Sequence, residues 1–165
     1  MSTSNTPGGS RHTFFHGLGP SPEDRMLAEH ACARVVVNAV RCVDAQDYEG
    51  FAANFAPEGV LQRPGGQPLV GRQAIVEAYK ARPAGRLTRH LVTNTLVDVQ
   101  SAHAATALSS VVLWSSDAAA EVTAQGRKAH ARQVLGTFQD RFVCQDGRWY
   151  IAERAARFDM YVETN

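Results

Sequence analysis

Helix-spaced apolar residues are confined to the first half of this chain. From Leu87 onward, four long strand-like runs follow one another. They are Leu87 to Gln100, Ala105 to Ser115, Lys128 to Cys144 and Arg148 to Phe158. Between the last two, Gln145-Asp146-Gly147 is a tight-turn signal. Helices segregated ahead of meandering strands predict an α+β fold with an antiparallel sheet, not a doubly wound parallel one.

The helical part opens at Ser21-Pro22-Glu23-Asp24. Ser21 can cap, Pro22 suits the first helical position, and the two acids complement the positive helix end. The spacing predicts a helix to about Ala45, with Ala28, Cys32, Val35, Val36, Ala39 and Val43 as its buried stripe. Arg34, Asn38 and Arg41 face water. A second apolar line, Val37 and Val40, ends at Asp44. Asp47 can cap a short second helix containing Tyr48, Phe51 and Phe55, stopped by Pro57. Gly59 to Arg63 and Pro68 to Val70 read as a hairpin turned by Pro64-Gly65-Gly66. A third helix is expected over Arg72 to Arg82, with Ile75, Ala78 and Tyr79 on one face.

A chain of 165 residues fits one domain, here 21–165, behind an arm over 1–20 that reads as flexible and holds Phe14 and Phe15. With 17 basic and 16 acidic residues and no basic block, a nucleic-acid partner lacks electrostatic support, and so does an anionic membrane surface. No apolar run reaches the length of a membrane helix and no secretory pattern opens the chain, so a cytoplasmic protein is expected. Cys32 and Cys42 lie roughly 15 Å apart along one expected helix, too far for a disulfide. With Cys144 they read as free thiols. No zinc-type spacing occurs and no cofactor is implied.

Several phrases in this order resemble the SnoaL-like branch of the nuclear transport factor 2-like superfamily. They are Asp44-Ala45-Gln46-Asp47-Tyr48, Phe55-Ala56-Pro57-Glu58-Gly59, Gly71-Arg72-Gln73-Ala74-Ile75 and Arg89-His90-Leu91-Val92-Thr93-Asn94, then Asp140-Arg141-Phe142 with Gly147-Arg148-Trp149-Tyr150-Ile151. The resemblance implies a cone of curved sheet on the N-terminal helices, an internal pocket for a small molecule, and a homodimer packed through the sheet. Fold alone does not fix function. Relatives include dehydratases, isomerases, noncatalytic binding domains and small subunits of ring-hydroxylating oxygenases.

Asp44 and His90 are the candidate catalytic pair. At a helix C-terminus and at the end of an apolar track, Asp44 is expected to have a raised pKa. Strand alternation puts His90, Val92 and Asn94 on one face, and imidazole moves protons near neutrality. In the scytalone-dehydratase-like branch an aspartate orients a pocket histidine, and Asp44 and His90 match those positions. The implied activity is a cofactor-independent dehydratase or isomerase, with Asn94, Val40, Trp114, Arg132 and Phe138 as expected substrate contacts. Two departures leave the constellation incomplete. Val43 stands where that branch has tyrosine, and Val111 to Ser116 hold no second histidine. His130 and Arg132 alternate with Val134, Gly136 and Phe138 and can supply polar groups at the pocket mouth.

Plainer readings stand beside these. Asp44 can pair with Arg41 or Arg89, His90 can be a structural histidine, and Asp47 a helix cap. Trp114, Phe138, Phe142 and Trp149 can serve packing. His12, His16, His30 and His103 read as solvated, and Arg154, Arg157 and Asp159 as an ion-pair rim. A limonene-type epoxide hydrolase would need a second buried acid, which the sequence does not place.

Overall fold

The computed structural model describes residues 19–163. The expected arm therefore lies, up to residue 18, outside the described residues, with Phe14, Phe15, His12 and His16.

Helix α1 spans Pro22–Asp44. Ser21 accepts the Asp24 backbone N–H at 3.1 Å, and Pro22 and the two acids occupy the first turn as expected. The helix buries Ala28, Cys32, Val36, Ala39, Val40 and Val43, and the Arg25 side chain ties it to strand β3 (Arg86–Ser101) by donating to the Val99 carbonyl. Val37 is exposed, so Val40 is the only neighbour on its line that carries an apolar surface toward Asp44. Helix α2, Tyr48–Ala52, is capped by Asp47, which accepts the Gly50 N–H at 2.8 Å. Phe55 does not extend it. Asn54 closes the helix by donating to the Gly50 carbonyl, and Phe55 opens strand β1, Phe55–Gln62. Pro57 sits in the irregular stretch between Phe55 and Val60, where its missing N–H disrupts no regular ladder.

The hairpin forms as read: Val60 and Leu61 of β1 pair with Val70 and Leu69 of β2 (Leu69–Val70), and helix α3 follows over Gly71–Lys80. Strand β4 is Ala104–Asp117, β7 is Arg132–Gln145 and β8 is Arg148–Glu163. Lys128 to Ala131 precede β7 instead of belonging to it. A two-strand ribbon, β5 (Val122–Thr123) and β6 (Gly126–Arg127), stands in the β4–β7 connection.

The main sheet runs β2-β1-β8-β7-β4-β3. Its pairings are antiparallel with one exception: β1 runs parallel to β8. The expectation of a purely antiparallel sheet is corrected there. Strand β1 precedes β8 by the whole length of the meander, so no short turn dictates its direction.

Bulges interrupt the long strands between Thr93 and Leu96, between Leu135 and Gly136, and between Arg141 and Phe142. Each adds a residue to one strand, bends it and reverses which residues face inward. The sheet curves round the helices. Phe51, Phe55, Leu61, Ile75, Phe142, Trp149 and Ile151 join the buried face of α1 in one core, and Cys32 lies inside it. Burial pushes the Cys32 thiol up to about 12, reinforced by Cys144 and Asp140, so it is inert as a nucleophile.

Candidate active site

At its last residue α1 delivers Asp44 to the inner face of β3. Asp44 Oδ1 lies 2.6 Å from His90 Nδ1 and accepts the Thr88 hydroxyl at 2.9 Å. Asp44 Oδ2 accepts the His90 backbone N–H at 2.8 Å. Burial alone would raise this carboxyl. The hydrogen bonds from the His90 ring and backbone, the imidazole charge and the Thr88 hydroxyl together outweigh it and hold Asp44 below the usual carboxylate value. The expected raised pKa is thereby corrected: the helix end aims the carboxylate at three donors instead of stranding it. Arg89 touches only the Asp44 backbone carbonyl, and neither Arg41 nor Arg89 makes an ion pair with its carboxylate.

An ionised carboxylate accepts only, so the His90 nitrogen facing it carries a proton. With Nδ1 so occupied, Nε2 is left for the cavity that His90 lines. That cavity has a volume of about 440 Å³. Val40, Val43 and Phe51 form its helical wall. Val111 and Leu113 of β4, then Val134, Gly136 and Phe138 of β7, form its sheet wall.

Of the expected substrate contacts, Val40 and Phe138 line this cavity. Asn94 does not. It takes a left-handed conformation, φ 51°, in the β3 bulge and points to solvent, while Thr95 turns inward to meet Ser109 at 3.0 Å. Trp114 pairs with Arg89 on the outer face of the sheet and is exposed. Arg132 lies in an adjoining chamber with His130, which contacts Ser115 at 3.2 Å. Arg86, Leu113, Val134 and Phe158 border both spaces, so His130 and Arg132 flank the main cavity without lining it.

Other polar residues line the cavity without having been expected there. Arg154 is buried, with its guanidinium on Asp140 at 2.7 and 2.8 Å and 4.3 Å from the Phe138 ring centre. The rim expectation is corrected for Arg154 and holds for Arg157 with Asp159. The extra residue opposite the Arg141/Phe142 step explains the difference, because simple alternation from Trp149 and Ile151 would face Arg154 outward. Asp140 is the second buried acid that the sequence did not place. Tyr79 of α3 also lines the cavity, beside Arg63, Arg82 and Arg86. Burial raises its phenol, against the opposing charges of Arg82, Arg63 and Arg154. Tyr79 was legible only as part of an apolar helix face. The arginines carried no signal beyond their place next to turns.

Among the described residues no group of three or more His, Cys, Asp or Glu side chains gathers to hold a metal, and no helix is long and apolar enough to cross a membrane.

No curated protein sequence matches the chain. Among solved structures, an aspartate-to-asparagine variant of a protein of unknown function from Mycobacterium tuberculosis is 31% identical, covering 84% of this chain and 76% of its own, with a TM-score of 0.68. A proposed scytalone dehydratase from Novosphingobium aromaticivorans is 19% identical over 88% of this chain and 93% of its own, TM-score 0.73. A type 2 hexachlorocyclohexane dehydrochlorinase is 14% identical over 88% and 94%, TM-score 0.74. The last two share the cone fold. The SnoaL-like domain family matches residues 24–155, and to that family this chain belongs.

Proposed function

We propose that the protein is a cofactor-independent lyase or isomerase, with His90 as the proton-transfer group and Asp44 as its positioning partner. The observation that carries this reading is the 2.6 Å contact between Asp44 and His90 at the wall of an apolar cavity. His90 Nε2 takes a proton from a carbon next to a carbonyl or a leaving group. The C–H electron pair forms the new double bond, and the leaving group departs with its own pair. Asp44, ionised and held by three donors, stabilises the imidazolium that forms. A departing hydroxide recovers the proton from Nε2 and leaves as water.

Two fold neighbours named for eliminations, a proposed scytalone dehydratase and a hexachlorocyclohexane dehydrochlorinase, support this class of chemistry. The test is to offer scytalone, hexachlorocyclohexane and a panel of cyclic β-hydroxyketones in deuterated water. Product formation or solvent-deuterium incorporation is followed by NMR. His90→Ala should abolish both, and Asp44→Asn should slow them. Turnover that survives intact in His90→Ala removes the reading.

One observation favours a binding role without turnover. Val111 and Leu113 line the wall of β4, and none of the lining residues is a second histidine. On that reading the chain binds its ligand unchanged, alone or as a partner resembling an oxygenase small subunit. Binding with no product or exchange across the panel, or copurification with a large iron–sulfur protein, would select it.

Residues 21–165 are proposed as the folding unit, so removing 1–20 should leave Tm unchanged. The three free thiols support a reducing, cytoplasmic location, which cell fractionation tests. A homodimer through the outer sheet face is the proposed assembly. Its support is the exposed apolar row of Leu91, Leu96, Leu108 and Trp114.

A further inference from the structure

The arginines of the cavity are not balanced by its acids. Arg154 is matched by Asp140 and Arg157 by Asp159. Arg63, Arg82 and Arg86 line the same space, and among the described residues none of them makes an ion pair. Two of them converge on one ring: Arg63 lies 5.9 Å and Arg82 5.2 Å from the centre of Tyr79. Arg63 Nε is buried and has no hydrogen-bond partner. Cation–π contact offsets part of the cost of bringing guanidinium groups together. It satisfies no N–H donor, and the buried Arg63 Nε is the one left without a partner among the described residues.

Both loops that carry these arginines are tied down. Gln62 donates to the Arg63 and Gly66 carbonyls at 3.0 and 2.5 Å and fixes the hairpin turn. Gln46, at the end of α1, donates to the Ala84 and Arg86 carbonyls at 3.2 and 3.1 Å and fixes the α3–β3 connection. Donors held this way need little reorganisation to receive a ligand.

We propose that Arg63, Arg82 and Arg86, with Tyr79 between them, form an anion subsite that takes the carboxylate of a small ring-bearing organic acid. This rests on the cavity being the substrate site, as proposed above, and names the class of molecule it admits. Three uncompensated guanidiniums favour an anion over a neutral ligand, and the paired N–H geometry of arginine suits a carboxylate. The ring belongs against the apolar wall of Val40, Val111, Leu113 and Phe138. Arg86, Thr88 and His90 alternate on one face of β3, so the subsite and the base are about 13 Å apart between Cα atoms. Arginine and histidine side chains reaching toward each other shorten this to the span of a substituted ring.

The test is isothermal titration of the full chain with 2-naphthoate and with neutral 2-naphthamide. The acid should bind at least about tenfold more tightly than the amide, and the preference should shrink as salt rises. In the Arg63→Gln/Arg82→Gln variant the preference should fall to about twofold or less, with circular dichroism and Tm confirming the fold. Arg86→Gln, at an exposed position, should lower it by severalfold and serves where the double variant does not fold. Equal binding of acid and amide, binding of neither, or an unchanged preference in folded variants overturns the subsite. His90→Ala should keep the preference. Loss of turnover with the preference intact therefore sinks only the lyase reading, and turnover without the preference sinks only the subsite.

Discussion

Single side chains carry the chemistry here, and the Asp44 carboxylate is the one whose role can be separated into charge and position. Asp44→Asn keeps size and some hydrogen bonding but loses the anion, and its amide can present N–H to His90 Nδ1. Turnover should fall by about 10²- to 10⁴-fold while KM changes little; steady-state kinetics on whichever substrate is found checks this. The same substitution tests the depressed acidity. A carboxyl with a folded pKa below its unfolded value contributes stability that is present above the unfolded value and is lost as pH falls through the folded one. The stability difference between the parent and Asp44→Asn should therefore stay level above about pH 5 and shrink below about pH 4, as read from urea unfolding at each pH. A difference that persists unchanged at pH 2 would show that the ionised carboxylate is not what the fold uses. The Asp140–Arg154 pair makes a different point. Truncating Asp140 to Ala leaves a buried guanidinium without its partner and should cost about 3–5 kcal/mol, whereas Arg157→Ala, at an exposed pair, should cost no more than about 1 kcal/mol.

Strands, and above all their irregularities, decide which of these side chains could be foreseen. Asp44 and His90 were legible because nothing interrupts the spacing before them: α1 is a continuous helix to Asp44, and β3 is regular from Arg86 to Thr93. Asn94 was misplaced because the extra residue of the β3 bulge hands its inward position to Thr95. Arg154 was misplaced for the same reason on β8. A bulge leaves no mark in the alternation of a single strand, since it arises from how two strands pair, and neither the parallel β1–β8 contact nor Tyr79 beside the distant arginines is a local property. The order of helices and strands survives such errors because periodicity and turn residues are local. The step at Gly136 can be probed directly. A Cβ there would run into the Arg157 backbone carbonyl at the cavity wall. Gly136→Ala should destabilise the fold by about 1–3 kcal/mol and weaken ligand binding together with stability. An alanine variant as stable as the parent would mean that β7 and β8 part easily at this point.

For the whole molecule, the curved sheet divides its residues between two faces, and the outer one carries exposed large apolar side chains. Leu91 pairs with Val112 and Leu96 with Leu108 across β3 and β4, and Trp114 continues the row. Leu96 is 73% exposed and Leu91 57%, with the Thr93–Ser110 pair between them, so the face carries two exposed apolar clusters on either side of one polar pair. Stacking a second copy on this face would bury the row in both chains at once, as a two-fold interface does. The cavity lies on the opposite, concave face, so assembly and ligand binding should be separable. Sedimentation at micromolar concentration should give a dimer for the parent and a monomer for Leu96→Glu, with Tm lower because dimerisation no longer supports the fold. The emission of Trp114 should shift to the red in the monomer as its ring passes into water, with Trp149 buried and unchanged. Carboxylate binding should persist in that monomer, because none of the cavity residues belongs to the outer row. A parent chain that sediments as a monomer, or a Leu96→Glu variant that remains dimeric, would assign this surface to some other contact.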